Sequence, residues 1–140
     1  MNFKLKTLFD FIKTNDTIGY FKDWTNNQFR DHIWFSKEKN KTFFYYMVKG
    51  QLFGIIEFYR EHDYKTMVQK VITGLSKKNQ VKSIKDGKVV FVHNIFAIPN
   101  VNYRDMLQRF KKYLKEYSSI YWWKLKNNKI LLCHLHRRMK

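Results

Sequence analysis

"VVFVHNIFAIPNVNYRDMLQRF", residues 89–110, is the stretch whose reading decides the fold. Its first half is a near-continuous apolar run, the pattern of a central strand covered on both faces. Pro99 ends the run, because a residue without an N–H cannot continue a hydrogen-bonded ladder. Beyond it Tyr103, Met106, Leu107, Phe110, Tyr113, Leu114 and Tyr117 recur at helical spacing, with Arg109, Lys111, Lys112 and Lys115 mostly elsewhere on the same helix. A buried strand therefore runs through a short turn into an amphipathic helix. Helix N-termini at such junctions hold phosphate-bearing ligands, yet the turn here contains no glycine.

Outward from this stretch, "TFFYYMV" (42–48) and "LFGIIEFY" (52–59) are aromatic and β-branched runs joined through Gly50, which predicts a hairpin. Gly54 interrupts the second run and predicts a bulge or a close packing contact. Residues 62–75 carry apolar side chains at helical spacing, and a polar loop follows, expected to be mobile. Phe3, Leu5, Leu8, Phe9 and Ile12 predict a first amphipathic helix. "FKDWTNNQFRDHIWF" (21–35) reads as buried on one side, helical and then extended. "SIYWWKLK" (119–126) and "ILLCHLHRR" (130–138) form a second hairpin-like pair. The order helix, helix, hairpin, helix, strand, helix, strand, strand predicts an α+β domain, one mixed sheet with helices packed on it. At 140 residues a single domain over 1–140 is expected.

The formal net charge of +17 and pI near 10.0 point to a polyanionic partner: nucleic acid, an anionic membrane face or the phosphates of a cofactor. No block of consecutive basic residues is present, so a generally lysine-rich solvated surface reads equally well. Aromatic residues make up 19% of the chain, far from the composition of a disordered basic tail. Cys133 is the one cysteine, which rules out an internal disulfide and suits a reducing compartment. No apolar run reaches the roughly 18 residues of a membrane span. The first residues lack the pattern of a secretory signal. The expected location is the cytoplasm or the interior of a virion.

Together these segments resemble the GNAT acyltransferase superfamily over roughly residues 1–125. "YYMVKGQLFGIIEFY" (45–59) looks like the family's antiparallel hairpin, with Gly54 where a glycine is frequent. "HNIFAIPNVNYRDML" (93–107) looks like its fourth strand, closing proline and cofactor helix. "SSIYWWKLKNN" (118–128) looks like its fifth strand. The resemblance implies a GNAT-like, mostly antiparallel sheet flanked by helices, and transfer of an acyl group from acetyl-CoA or another acyl-CoA to an amine. No Cys-x-x-Cys or His-Glu-x-x-His pattern is present, so no metal is expected. The resemblance also implies that Asn94, Ile95, Phe96 and Ala97 pair with the pantetheine arm, and that Tyr103 and Arg104 sit at the pyrophosphate. Two departures stand out. The phosphate loop lacks both of the family's glycines and carries Asp105, and the family's late helix with its frequent tyrosine acid is missing. Small phage proteins and toxin-activating acyltransferases also look like shortened versions of this domain. The activators use an early histidine, and only His32 here has a comparable position, though its flanks do not match.

Two residues read as candidate bases. His93 lies inside the central strand, where it is either a hydrogen-bonded core residue or a general base with a suitable pKa. Glu57 lies inside an apolar strand. It either faces solvent or faces the cleft, where burial would raise its pKa. His134 and His136 share one face of a strand, about 7 Å apart, with Cys133 on the other; with no third ligand in sight they read as solvated residues. The last 40 residues hold eleven Lys or Arg against only Asp105 and Glu116. Lys124, Lys126, Lys129, Arg137 and Arg138, interleaved with aromatics, form a candidate surface for single-stranded nucleic acid. The alternative reading is accordingly a non-enzymatic basic phage protein on a GNAT-like scaffold that binds nucleic acid or assembles with virion proteins.

Overall fold

The computed structural model describes residues 3–77, 81–126 and 129–136, with side chains at 3–70 and 81–122. The elements are α1 (Leu5–Asn15), α2 (Asn26–Trp34), β1 (Phe43–Val48), β2 (Gln51–Glu61), α3 (Tyr64–Lys77), β3 (Val89–Ala97), α4 (Tyr103–Leu114), β4 (Ser119–Lys126) and β5 (Lys129–His136). This is the expected order. The strands form one sheet in the order β1-β2-β3-β4-β5. Only β3 and β4 are parallel, because α4 crosses over between them; the other neighbours are antiparallel.

Each face of the sheet is covered. On one, Met106, Phe110 and Leu114 of α4 pack on Phe44, Ile56, Phe58, Val90 and Val92. On the other, Leu8 and Ile12 of α1 and Phe29 and Ile33 of α2 pack on Phe43, Ile55 and Phe96. Met67 of α3 extends that layer over Tyr59, Val89 and Phe91. A central strand buried from both sides has no polar face, so β3 does not alternate in sequence. The stripe of α4 is narrower than its spacing predicts. Tyr103, Leu107 and Tyr113 stay exposed, since a helix lying on a sheet buries only its inward rows.

α2 opens with a capping box: the Gln28 N–H donates to Thr25 Oγ1 and the Thr25 N–H donates to Gln28 Oε1. The chain after α2 is not extended, contrary to the sequence reading. It widens into a π-helical turn, Phe35–Asn40, ended by Lys41 in the left-handed region. The Thr42 N–H bonds back to the Ser36 carbonyl at 2.9 Å and helps close this turn. Its buried Ser36 hydroxyl also finds a partner on β2, described below.

Gly54 fulfils both expectations for it. The β1–β2 register shifts beside it, between Tyr46 and Met47. A Cβ at Gly54 would stand 2.8 Å from Met106 Sδ. A second shift falls in the middle of the sheet, where Glu57 pairs with Asn94 but Phe58 pairs with Val92. His93 is the extra residue of this bulge, so His93 and Asn94 turn their side chains to the same face as Glu57. Immediately beyond, β3 and β4 part company. Their pairing runs from Val89↔Ser119 to Val92↔Trp122, while β3 continues to Ala97 and β4 to Lys126.

The polar loop is tied down in its described half. Arg60 binds it from β2: its N–H donates to Ser83 Oγ at 2.8 Å, its carbonyl accepts the Ile84 N–H at 2.9 Å, and its Nε donates to the Gly87 carbonyl at 2.9 Å. The Asn40 amide brackets the same segment, donating to the Val81 carbonyl and accepting the Ser83 N–H. This packing brings Gly87 against the backbone of Glu61, where a Cβ would stand 2.7 Å from both N and O. Gly87→Ala is therefore expected to cost about 1–3 kcal/mol by overpacking against main chain. Gly54→Ala should cost less, because the Met106 thioether can turn aside. Urea denaturation of the two variants checks this ranking, and equal midpoints would refute it.

Candidate active site

The bulge collects polar groups at the centre of the sheet. Glu57 is 3% exposed. Its Oε2 lies 2.5 Å from His32 Nε2 and accepts the Ser36 hydroxyl at 2.8 Å. Its Oε1 accepts Asn94 Nδ2–H at 2.9 Å and lies 3.8 Å from His93 Nδ1. The far nitrogen of that ring, Nε2, is 2.9 Å from the Tyr20 hydroxyl. A chain of side chains, Tyr20–His93–Glu57–His32, hydrogen-bonded at both ends and with a longer 3.8 Å step between His93 and Glu57, thus joins the turn after α1, strand β3, strand β2 and helix α2. Trp24 and Phe21 wall it, with ring centroids 5.3 Å and 5.5 Å from His32.

Charges in this chain are fixed by their neighbours. Burial alone pushes the Glu57 carboxyl up, but the charge and hydrogen bond of His32, with His93 and Asn94, more than offset it and hold the group down at about 2. Burial disfavours a charged His32, and the carboxylate beside it outweighs that effect and raises its pKa. Burial pulls His93 down to about 4 in spite of Glu57, with His32 adding to the fall. Burial, then the Glu57 and Asp16 charges, push the Tyr20 hydroxyl up, so it keeps its proton. At neutral pH the set is a phenol, a neutral imidazole, a carboxylate and an imidazolium. A lone pair on His93 Nδ1 would face the carboxylate unfavourably. The preferred tautomer puts N–H there and leaves Nε2 to accept from Tyr20.

The sequence candidates separate into those brought together and those left apart. His93, Glu57 and Asn94 meet here, and Glu57 faces neither solvent nor an open cleft. Its pKa moves opposite to the direction expected from burial, because His32 arrives from α2. Asn94 spends its side chain on Glu57, Phe96 belongs to the α1–α2 core, and Ile95 is partly exposed. The backbone of residues 93–97 borders the gap between β3 and β4. Tyr103 and Arg104 are exposed in the first turn of α4. Asp105, in the same turn, accepts the Tyr46 hydroxyl at 2.6 Å and pairs with Arg109 Nε at 3.1 Å. Asn100 takes the left-handed conformation, φ 62°, that a glycine would otherwise supply, and the Asn102 side chain caps the helix through the Asp105 N–H. The side chains of Lys124, Lys126 and Lys129, those of Cys133, His134 and His136, and the whole of Arg137 and Arg138 lie outside the described residues. Among the described residues no helix is long and apolar enough to cross a membrane.

His32, Tyr20 and Ser36 escaped the sequence reading as members of one site. The one available signal was the adjacent polar pair His93-Asn94 inside an otherwise apolar strand, which marks a break in alternation.

No family model and no curated protein matches the chain. Among solved structures, the loading GNATL domain of CurA from Lyngbya majuscula matches with a TM-score of 0.51 and 14% sequence identity. The match covers 91% of this chain and 65% of the other, so the chain spans under two thirds of that structure's length. At this identity the likeness establishes the architecture. The fold is GNAT-like, as the sequence pattern implied.

The His32–Glu57 pair makes stability depend on pH in a definite direction. Glu57 is depressed below its ordinary 4.5, so its contribution is present above that value and is lost as pH falls toward about 2. His32 is raised above 6.5, so its contribution is full below 6.5 and lost as pH rises through its folded value. His32→Ala leaves a buried carboxylate without its nearest cation and is expected to cost about 3–5 kcal/mol at neutral pH. In that variant burial again favours the protonated acid, so the loss should shrink at acid pH. Urea denaturation of wild type and variant at two pH values measures this, and a loss independent of pH would rule out the assigned charge state.

Proposed function

We propose that the chain is a divergent acyltransferase that moves an acyl group from a CoA-type thioester to an amine, with His93 as the base. The observation that carries this reading is the parting of β3 from β4 after Val92↔Trp122, with the bulged His93 as the first residue beyond it. Past that point the backbone of residues 93–97 has no ladder partner on β4. An extended ligand with amide groups, such as pantetheine, can satisfy that edge as an added strand would. Residues Asn94 to Ala97 take this role through their main chain. The N–H groups after Pro99, with Tyr103 and Arg104, hold the phosphates at the start of α4.

In the reaction the amine nitrogen bonds to the thioester carbon as the carbon–sulfur bond breaks. The proton leaving the amine is received by the Tyr20–His93 pair, with Nε2 as its acceptor, and the departing sulfur takes a proton from the same pair to leave as a thiol. Glu57 steadies the imidazolium formed in between, and His32 keeps Glu57 ionised at neutral pH. This is the logic of a hydroxyl–imidazole–carboxylate relay, in which each group orients the next.

The charge of +17 favours a second reading, a non-enzymatic protein that binds nucleic acid or assembles in a virion through its basic surface. Thermal melting with acetyl-CoA, a long-chain acyl-CoA and ATP, at about 50 and about 300 mM salt, separates the two, because phosphate-driven binding decays across that range. Stabilisation by a CoA thioester but not by ATP, retained at high salt, is the expected result. His93→Ala should keep that stabilisation while slowing CoA release to an amine acceptor by about 100-fold or more. Stabilisation by every anion at low salt and by none at high salt would instead favour the basic-surface reading.

A further inference from the structure

We propose that His32, Glu57 and His93 form a binding site for a single divalent zinc-like cation. Two histidines and a glutamate are an established ligand set for Zn2+. One donor atom from each of these three residues lies within 4.8 Å of the other two. A tetrahedral Zn2+ with bonds of about 2.0–2.2 Å holds its ligand atoms about 3.4 Å apart. His93 Nδ1 and Glu57 Oε1, at 3.8 Å, are close to that spacing, and His32 faces the other carboxylate oxygen, Oε2. The His32–Glu57 contact of 2.5 Å is bridged by a proton, and replacing the proton with a metal requires it to open by about 1 Å.

Three further observations favour a cation here over a wholly closed ion pair. A cavity of about 20 Å3 is lined by His32, Ser36, Thr42, Glu57 and His93, among others, which is room for one water-sized body. Two of the three ligands are braced from behind: Glu57 by Ser36 and Asn94, and His93 by the Tyr20 hydroxyl on its other nitrogen, while His32 Nδ1 is buried without a hydrogen-bond partner. Such outer partners fix the ring orientation that a metal requires. Finally, the set comes from α2, β2 and β3, so the packed fold and not a single loop sets its geometry.

Binding exchanges one proton for the metal. The proton between His32 and Glu57 is released, and His93 turns to the other tautomer, with Nε2–H donated to the Tyr20 oxygen and the Nδ1 lone pair on the metal. Three protein ligands leave one tetrahedral position open. An occupied site removes the free base of the acyl-transfer reading, so zinc would inhibit that reaction. The site itself does not rest on that reading.

The test is zinc titration by calorimetry, with metal content after gel filtration, on the full chain and on four variants. One zinc per chain is expected in wild type and in the His134→Ala/His136→Ala double variant. His93→Ala should lose it, and Tyr20→Phe should bind about 10–100-fold more weakly, as for loss of an outer-shell partner. Glu57→Gln should also lose it. Should a ligand variant fail to fold, Co2+ added to wild type gives an independent readout: visible bands of a tetrahedral site without sulfur-to-metal charge transfer. Failure of wild type to retain zinc, retention that disappears with His134 and His136, or a thiolate band from Cys133 would each overturn the proposal.

Discussion

A carboxylate at the centre of the sheet is the constraint on which the rest of this structure depends. Glu57 sits between two covered faces, where an unpaired charge costs several kcal/mol. Four side chains from three elements converge to compensate it: His32 and Ser36 from the α2 segment and its π-helical turn, and His93 and Asn94 from β3. The position of α2 over the sheet, the widened turn after it and the bulge in β3 are coupled through this one group. An apolar residue at 57 would leave His32, Ser36 and Asn94 without their acceptor.

The bulge acts twice. By adding His93 opposite the Glu57–Phe58 step, it turns two consecutive side chains to one face and so supplies two partners to the carboxylate. It also falls at the last pair before β3 and β4 separate, and bulges increase local twist and bend the strand that carries them. The polar cluster and the gap beside it are therefore adjacent for one reason. That adjacency gives the site its chemical interest, because a polarised imidazole stands where an extended ligand could lie along the free edge.

The turn into α4 solves without glycine a problem usually assigned to glycine. Asn100 takes the left-handed conformation, which asparagine tolerates better than other residues with a side chain, and Asn102 caps the helix. Asp105 accepts the Tyr46 hydroxyl and Arg109 donates to the Met47 carbonyl, and both contacts tie α4 to β1. At the other end of the helix, Arg60 reaches the carbonyl of Glu116, while its backbone and Nε hold the loop before β3. A buried-strand arginine and a first-turn aspartate thus anchor the two ends of the crossover helix.

Much of the architecture was legible in the sequence. The apolar run before Pro99, the stripe after it, the glycine-marked hairpin and the paired C-terminal strands follow from periodicities of about 2 and 3.6 residues, which are local properties of the chain. They sufficed for the element order and a mixed sheet covered by helices, while the GNAT-like expectation came from the resemblance of these segments to that family. They could not show which way Glu57 faces, that its acidity increases in spite of burial, or that His32 and Tyr20 join it. Those are properties of residues 25 and 73 positions apart meeting in space. A one-residue shift in register decides whether His93 and Asn94 share a face or oppose each other, and only strand pairing sets register. The sequence by itself determined the sheet and its covering helices; the tertiary structure decided the site, because a pKa and a hydrogen-bond partner depend on distance through space and not along the chain.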